Sequence, residues 1–331
     1  MTKKIAIVGA GGRTGTLFAS ELAGVADVVG IARHPQVVDA AQGRILVERG
    51  GGSRDPLTCP VIEDDAFTSE LAPDFLFLTT KNPVGPSVQF YYERVREEHP
   101  PDLILSQNGI AAADDARVTL ERIFGERAQT IRVMRVSLFN PVSVEQAGDQ
   151  VVISYFTPVR LAFGVAYGPD RTQDLQELFA AGGIEAEAVP SRDVKNMELS
   201  KLFTNLIGVP SAEHGLTIGE GFADKGVFDE EIRALREYAR VVRSSGGRFL
   251  NLRHFPTGTY AALLATIPLP VLRLFRRQIA GMITKGRGSK EKGNIDEIDY
   301  YSGAVVAMGK RVDVETPVNA RIYEAMKAMA S

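Results

Sequence analysis

Short apolar runs alternate with glycine-rich turns and amphipathic stretches through the first 130 residues of the chain. Ile5, Ala6, Ile7 and Val8 form an uninterrupted apolar run of the kind that suits a strand buried on both faces of a parallel sheet. Glycines crowd the turn that follows, and residues 16–23 resume with helical spacing. Residues 27–32 read as a second strand, and the apolar runs at 75–78 and 102–105 as two more. Helical patterns at 87–98 and 114–124 fall between them, completing alternating strand-helix-strand units. The glycine- and proline-rich residues 50–60 read as a loop. From 130 to 164 three strand-like runs, 131–138, 151–156 and 159–165, follow without a helix, which predicts antiparallel strands closing the same sheet. A helix at 172–181 and a last strand at 184–189 end this part. Beyond Pro190 nearly everything is helix-like. The pattern therefore predicts an α/β chain: a doubly wound sheet over residues 1–190, then an all-helical C-terminal domain over residues 191–331.

Composition narrows the classes. At 331 residues, 44% hydrophobic and 24% charged, the chain is long enough for two domains with substantial cores. A net charge of -3 offers no general basic field for duplex nucleic acid. The single cysteine, Cys59, forms no internal disulfide, which fits a reducing cytoplasm, and four scattered histidines show no metal-ligand spacing. The first strand begins almost at once, leaving no room for a signal peptide. The most apolar later stretch, 258–272, is too short to span a bilayer and contains Pro268 and Pro270. A cytoplasmic protein without metal, nucleic acid or membrane partner is expected.

The candidate chemistry starts at the glycine turn Gly9-Ala10-Gly11-Gly12-Arg13-Thr14-Gly15. Unpaired N–H groups at a helix start favour a phosphate, as in dinucleotide-binding folds. The spacing admits two frames, one using Gly9 and Gly11 with Thr14 in the third place, the other using Gly9, Gly12 and Gly15. The second strand ends in Arg33. An acidic residue there would accept from ribose hydroxyls, whereas an arginine pairs with a 2′-phosphate, so NADP(H) is expected over NAD(H), unless Arg33 is a solvated loop charge. Lys81 and the Gln107-Asn108-Gly109 turn stand just past two apolar strands, where open sheets bind ligands. Further on, Lys201 and Asn205 lie four apart on one helix face. Spacing alone also fits a surface lysine whose stem covers the core. Near the C-terminus Thr316 suits an N-cap and Pro317 the first residue of the last helix.

In motif order the chain resembles the ketopantoate reductase (2-dehydropantoate 2-reductase) family. The likeness is carried by the glycine turn, Arg33, Thr80-Lys81, Gln107-Asn108-Gly109, residues 200–205, Asp296-Glu297-Ile298-Asp299-Tyr300 and Thr316-Pro317-Val318-Asn319. It implies an NADP-binding Rossmann domain followed by a helical substrate domain. It implies Lys201 as the catalytic lysine, Glu297 as the group that binds the substrate hydroxyl, and Asn205 as an assistant at the substrate. It also implies that Gly9, Ala10, Gly11, Gly12, Arg13, Thr14, Arg33, Lys81 and Asn108 touch the cofactor. The activity implied is NADPH-dependent reduction of a 2-oxo acid to a 2-hydroxy acid, ketopantoate to pantoate in coenzyme A biosynthesis.

The departures cluster at the substrate. Val209 stands where the family often has an asparagine, another expected asparagine falls near Gly219, and a serine expected upstream of Glu297 falls in the stretch beginning Lys285-Gly286-Arg287. A related dehydrogenase acting on another oxo acid or imine, or a non-catalytic NADP(H)-binding redox sensor, is therefore the alternative. The basic residues Arg273, Arg276, Arg277, Lys285, Arg287, Lys290 and Lys292 could attract a substrate carboxylate or form a solvated surface. A homodimer is left open.

Overall fold

The apolar runs become strands with two buried faces. In chain order they are β1 (Lys4–Val8), β2 (Asp27–Ala32), β3 (Ile45–Arg49), β4 (Arg54–Pro56), β5 (Val61–Glu63), β6 (Phe75–Leu78), β7 (Asp102–Leu105), β8 (Val133–Leu138), β9 (Val142–Ala147), β10 (Gln150–Tyr155), β11 (Arg160–Tyr167) and β12 (Glu185–Ala188). The computed structural model describes residues 2–33, 38, 44–95, 98–287 and 297–330. The chain divides into two units, the first comprising Met1–Gln107 and Ala111–Val194, the second Asn108–Ile110 and Lys195–Ser331.

In the first unit eight strands form one sheet in the order β12-β11-β8-β7-β6-β1-β2-β5. All neighbours are parallel except β8 and β11. Period-two alternation sends Ile5, Ile7, Phe75 and Phe77 to one face, where Phe18 and Phe179 of the helices Arg13–Leu22 and Gln173–Ala181 meet them. It sends Ala6, Val8, Leu76 and Leu78 to the other, against Tyr91 and Leu120 of the helices Gly85–Tyr92 and Ala112–Phe124. Covering both faces is what lets continuous apolar runs serve as strands, and each large side chain so buried contributes about 1.5–3 kcal/mol.

The run at 151–156 does not close this sheet, contrary to its expected place. As β10 it pairs antiparallel with β9 and parallel with β3, in a separate four-stranded sheet β4-β3-β10-β9 that also takes in part of the expected 50–60 loop. β11 already occupies the edge of β8, and the small sheet instead buries Ile45, Val47, Ile153 and Tyr155 in the core that also holds Phe18. Glu21, on the helix beneath, accepts from Arg49 Nε and from Tyr155 Oη, both at 2.7 Å.

The second unit is built around the twenty-residue helix Lys225–Ser244. It is not wholly helical, because β13 (Asn251–Leu252) and β14 (Phe255–Pro256) pair as a minimal hairpin. Two buried glutamates on the long helix receive the backbone of its neighbours. Glu231 accepts from Gly208 N–H and Ser211 N–H at 3.0 Å and from Ser211 Oγ at 2.6 Å, at the start of the helix Val209–Glu213. Glu237 accepts from Val318 N–H and Asn319 N–H at 2.9 and 3.0 Å, meeting the first amides of the helix Pro317–Ala330, where capping by Thr316 was expected. Positive helix ends thus supply what cations would supply elsewhere.

Candidate active site

The glycine turn is shaped by contacts that exclude a Cβ. Gly9 has φ +86°, and a Cβ there would sit 2.8 Å from Thr79 Oγ1. A Cβ on Gly15 would lie 2.1 Å from Gly9 O, so the helix Arg13–Leu22 can rest on the turn only because that residue is glycine. The packing role thus falls to Gly15, in the Gly9, Gly12, Gly15 frame. Thr79 Oγ1 donates to Val8 O at 2.6 Å and locks β6 to the turn. The first bond into the helix runs from Thr16 N–H to Gly12 O at 2.9 Å. The N–H groups of Arg13, Thr14 and Gly15 precede it and have no intrahelical acceptor. Ala10 is fully buried, whereas Gly12 and Arg13 are exposed at the mouth of the turn.

Next to the turn, Gln107 Nε2 donates to Leu78 O and Thr80 O at 2.8 and 3.0 Å, tying the ends of β6 and β7 together. Gln107 Oε1 and Thr80 Oγ1 are buried there without a hydrogen-bond partner. A cradle that a Cβ would fill, open helix amides and orphaned polar atoms at the carboxyl ends of parallel strands together fit a dinucleotide. Lys81 is exposed just beyond.

Arg33 follows Ala32, the last residue of β2, and Asp64 follows Glu63, the last residue of β5. Ala32 and Glu63 are register partners, so the two charges emerge side by side. Arg33 Nε lies 3.5 Å from Asp64 Oδ2; the arginine side chain is 65% exposed and the aspartate 17%. Tyr91 Oη donates to Asp64 Oδ1 at 2.6 Å. Burial first, then the bond to Asp64, raises the Tyr91 pKa far above its ordinary value, so the phenol stays a donor.

The second unit assembles a cluster from three distant stretches. The helix Val194–Leu206 buries Leu199, Leu202, Phe203 and Leu206 in its core and leaves Lys201 and Asn205, one turn apart, half-buried on another face. Ser200 Oγ donates to Asn196 O and accepts from Leu250 N–H, and Tyr238 Oη donates to Leu199 O, so this helix is held on several sides. Asn205 Nδ2 donates to Asn108 Oδ1 at 3.2 Å, and Asn108 Nδ2 donates to Glu297 Oε2 at 3.0 Å. Tyr301 Oη reaches the same carboxylate oxygen at 3.5 Å. Gly109, at φ +84°, makes this possible: a Cβ would lie 2.9 Å from Tyr300 Cβ, so only glycine lets the Asn108 segment approach the Glu297 turn.

Of the residues singled out from sequence, Asn108, Asn205 and Glu297 are joined directly, and Lys201 shares the Asn205 helix face. Asn108, expected at the cofactor, lies in this cluster and in the second unit. Gly9 to Thr14 and Arg33 are in the first unit. Sequence reading missed Tyr301 and Asp64. The spacing of Tyr301 four after Glu297 was a usable signal, whereas Asp64 depends on the β2–β5 register, which the sequence does not display. Among the described residues one group of possible metal ligands occurs, Glu213, His214 and Glu230, within 4.8 Å of one another. Arg321 already bridges both carboxylates, at 2.5 and 2.7 Å. No described helix is long and apolar enough to cross a membrane.

This fold is shared with solved ketopantoate reductases and with a mandelate dehydrogenase. A PanE/ApbA family ketopantoate reductase from Ralstonia eutropha JMP134 superposes with TM-score 0.73 at 18% identity, over 98% of this chain and 97% of that one. A D-mandelate dehydrogenase in ternary complex with NADH and anilino(oxo)acetate gives 0.73 at 14%, over 98% and 97%. The 2-dehydropantoate 2-reductase of Geobacter metallireducens GS-15 gives 0.69 at 15%, over 98% and 99%. At these identities the likeness shows a shared fold. Residues 193–330 match the family model described as ketopantoate reductase PanE/ApbA C terminal, which bears out the resemblance carried by the motifs. No curated protein matches the chain in sequence.

Proposed function

We propose that the protein is an NADPH-dependent reductase of a 2-oxo acid, with ketopantoate, and hence a place in pantothenate and coenzyme A biosynthesis, as the leading substrate reading. The observation that carries it is the hydrogen-bonded chain Asn205–Asn108–Glu297 beside Lys201. With Lys201 one helical turn from Asn205, these residues offer an ammonium, two amides and a carboxylate, a set suited to a carbonyl that becomes an alkoxide. The glycine turn with Arg33, Lys81, Thr80 and Gln107 would hold the cofactor, whose nicotinamide supplies the hydride when bound.

Lys201 then gives its proton to the carbonyl oxygen as negative charge develops on it, and its own positive charge stabilises that oxygen beforehand. Asn205, one turn along, orients the carbonyl. Glu297, with Oε2 engaged by Asn108, accepts from the substrate hydroxyl. Asn108 fixes the carboxylate by donating from one end of its amide and fixes Asn205 by accepting at the other, so a single side chain sets the spacing of both.

A wider substrate range is favoured by what stands at the positions where asparagines were expected. Val209 is fully buried in the helical core, and Gly219 packs so tightly that a Cβ would meet Thr284 Cγ2 at 2.7 Å. Neither offers the substrate a polar group. The D-mandelate dehydrogenase fold-mate supports the related reading of a dehydrogenase acting on another 2-oxo acid. Cytoplasmic location and action as a small-molecule enzyme belong to the same proposal. The test is the rate of NADPH and of NADH oxidation across a panel of 2-oxo acids, ketopantoate and phenylglyoxylate included. Absence of turnover with every member, in protein that binds NADPH, would leave the sensor reading standing instead.

A further inference from the structure

The adenosine end of the cofactor site holds a charge that the cofactor reading does not use. The β2–β5 register fixes Arg33 and Asp64 side by side, and the carboxylate approaches the guanidinium at Nε rather than across its outer fork. The two terminal nitrogens are therefore left for a planar bidentate partner such as a phosphate. Asp64 cannot readily turn away, because Tyr91, almost wholly buried, holds its other oxygen at 2.6 Å. Its effect on a 2′-phosphate has two parts of opposite sign. Keeping an exposed arginine in one orientation through a pair of this length is worth a factor of at most about five in affinity. A fixed carboxylate next to a bound phosphate dianion opposes it by about three- to tenfold in moderate salt. The repulsion is the larger.

We infer that Asp64 is a specificity-determining residue that restrains the preference for a 2′-phosphorylated cofactor which Arg33 creates. The pair Arg33–Asp64 carries no net charge, so the site discriminates less sharply than a lone arginine would, and the unphosphorylated cofactor remains a competitor. This rests on the reading of Arg33 as the 2′-phosphate contact.

The test is calorimetric titration of the full-length protein with adenosine 2′,5′-bisphosphate and with 5′-AMP, which differ only in that phosphate. Asp64→Asn removes both effects at once and should tighten the bisphosphate by their net, about two- to fivefold, with 5′-AMP unchanged. The gain should shrink in 0.5 M salt, where the Debye length falls to about 4 Å, a response that a packing defect would not give. Asp64→Glu, which keeps the charge, should keep the native ratio. Arg33→Ala should weaken the bisphosphate about tenfold. If Arg33→Ala does so while Asp64→Asn leaves the bisphosphate unchanged or weaker, the inference about Asp64 falls and the cofactor reading survives. If Arg33→Ala moves neither ligand, both fall.

Discussion

The glycine turn of the sheet unit and the Asn205–Asn108–Glu297 cluster of the helical unit are built on opposite plans. The turn is made of consecutive residues, and its geometry is backbone geometry: φ +86° at Gly9 and a helix start that no Cβ may obstruct. The cluster is made of side chains from stretches up to 189 residues apart, joined end to end by amides. Adding atoms should ruin the first, and removing atoms should ruin the second. The first loss should appear as stability, the second as rate.

Lys201→Met offers the largest effect on the rate side. If Lys201 only lays its stem on the core, methionine keeps most of the packing and turnover stays within a few-fold. As a positioned proton donor it should be worth about 10²- to 10⁴-fold, seen in kcat and kcat/KM together, with NADPH affinity unchanged. A variant retaining more than about a tenth of kcat would end the catalytic assignment.

Gly15→Ala is the counterpart in the turn. Its Cβ would fall 2.1 Å from Gly9 O and 2.6 Å from Gly9 C, both backbone atoms that no rotamer can relieve. The cost should reach or pass the ~3 kcal/mol top of the usual overpacking range. Calorimetry should then show a melting temperature lower by roughly 6–12 °C. Gly24→Ala, where a Cβ meets nothing within 4 Å, should be nearly neutral. Equal effects from the two substitutions would contradict the reading of the turn as a place that no Cβ may enter.

Asn108→Ala tests the cluster at its centre. It deprives Glu297 of an amide donor and Asn205 of an acceptor, and a hydrogen bond to a charged group is worth about 1.5–3 kcal/mol. A fall of kcat/KM for the 2-oxo acid by about ten- to a hundredfold is expected, with the melting temperature little changed. Asn108→Asp should be worse than alanine, because it sets a second carboxylate about 3 Å from Glu297. Should aspartate prove the milder change, Asn108 would not be holding that carboxylate.

What could be read from the sequence follows the same division. β1, β2, β6 and β7 were legible because two-sided burial writes itself as an unbroken apolar run, and the glycine turn because it is local. β5 was invisible at three residues. β10 was recognised as a strand and placed in the wrong sheet, since strand propensity does not name a partner and β3, with which it pairs, lies about a hundred residues earlier. In the cluster, Lys201, Asn205, Glu297 and Asn108 were each singled out. That Asn108 joins the other asparagine to the glutamate was not, because it depends on Gly109 fitting against Tyr300, a tertiary contact with no periodicity to betray it.

The smallest effect separates the units by how they hold buried charge. In the helical unit Glu231 and Glu237 are met by backbone amides, whereas in the sheet unit Arg132, 1% exposed, is met by Asp102 and Asp174, each at 2.5 Å. Burial works against the charged form of Asp174, but the hydrogen bond and charge of Arg132 outweigh it and the carboxyl pKa is lowered. A depressed pKa means that the unfolded chain takes up the proton first as the solution is acidified. The contribution is therefore complete above about pH 5 and is lost as pH falls through the ordinary carboxylate range toward the folded value. Because Asp174 is partly exposed, solvent screening leaves about 1 kcal/mol at neutral pH. Urea unfolding of the protein and of Asp174→Asn should thus differ by about that amount at pH 7, differ equally at pH 6, and converge toward pH 3. A gap of constant size down to pH 3 would mean that Arg132 draws its compensation from Asp102 and the Arg171 carbonyl, which accepts from its Nη1 at 2.7 Å, and that the Asp174 carboxylate adds only its shape.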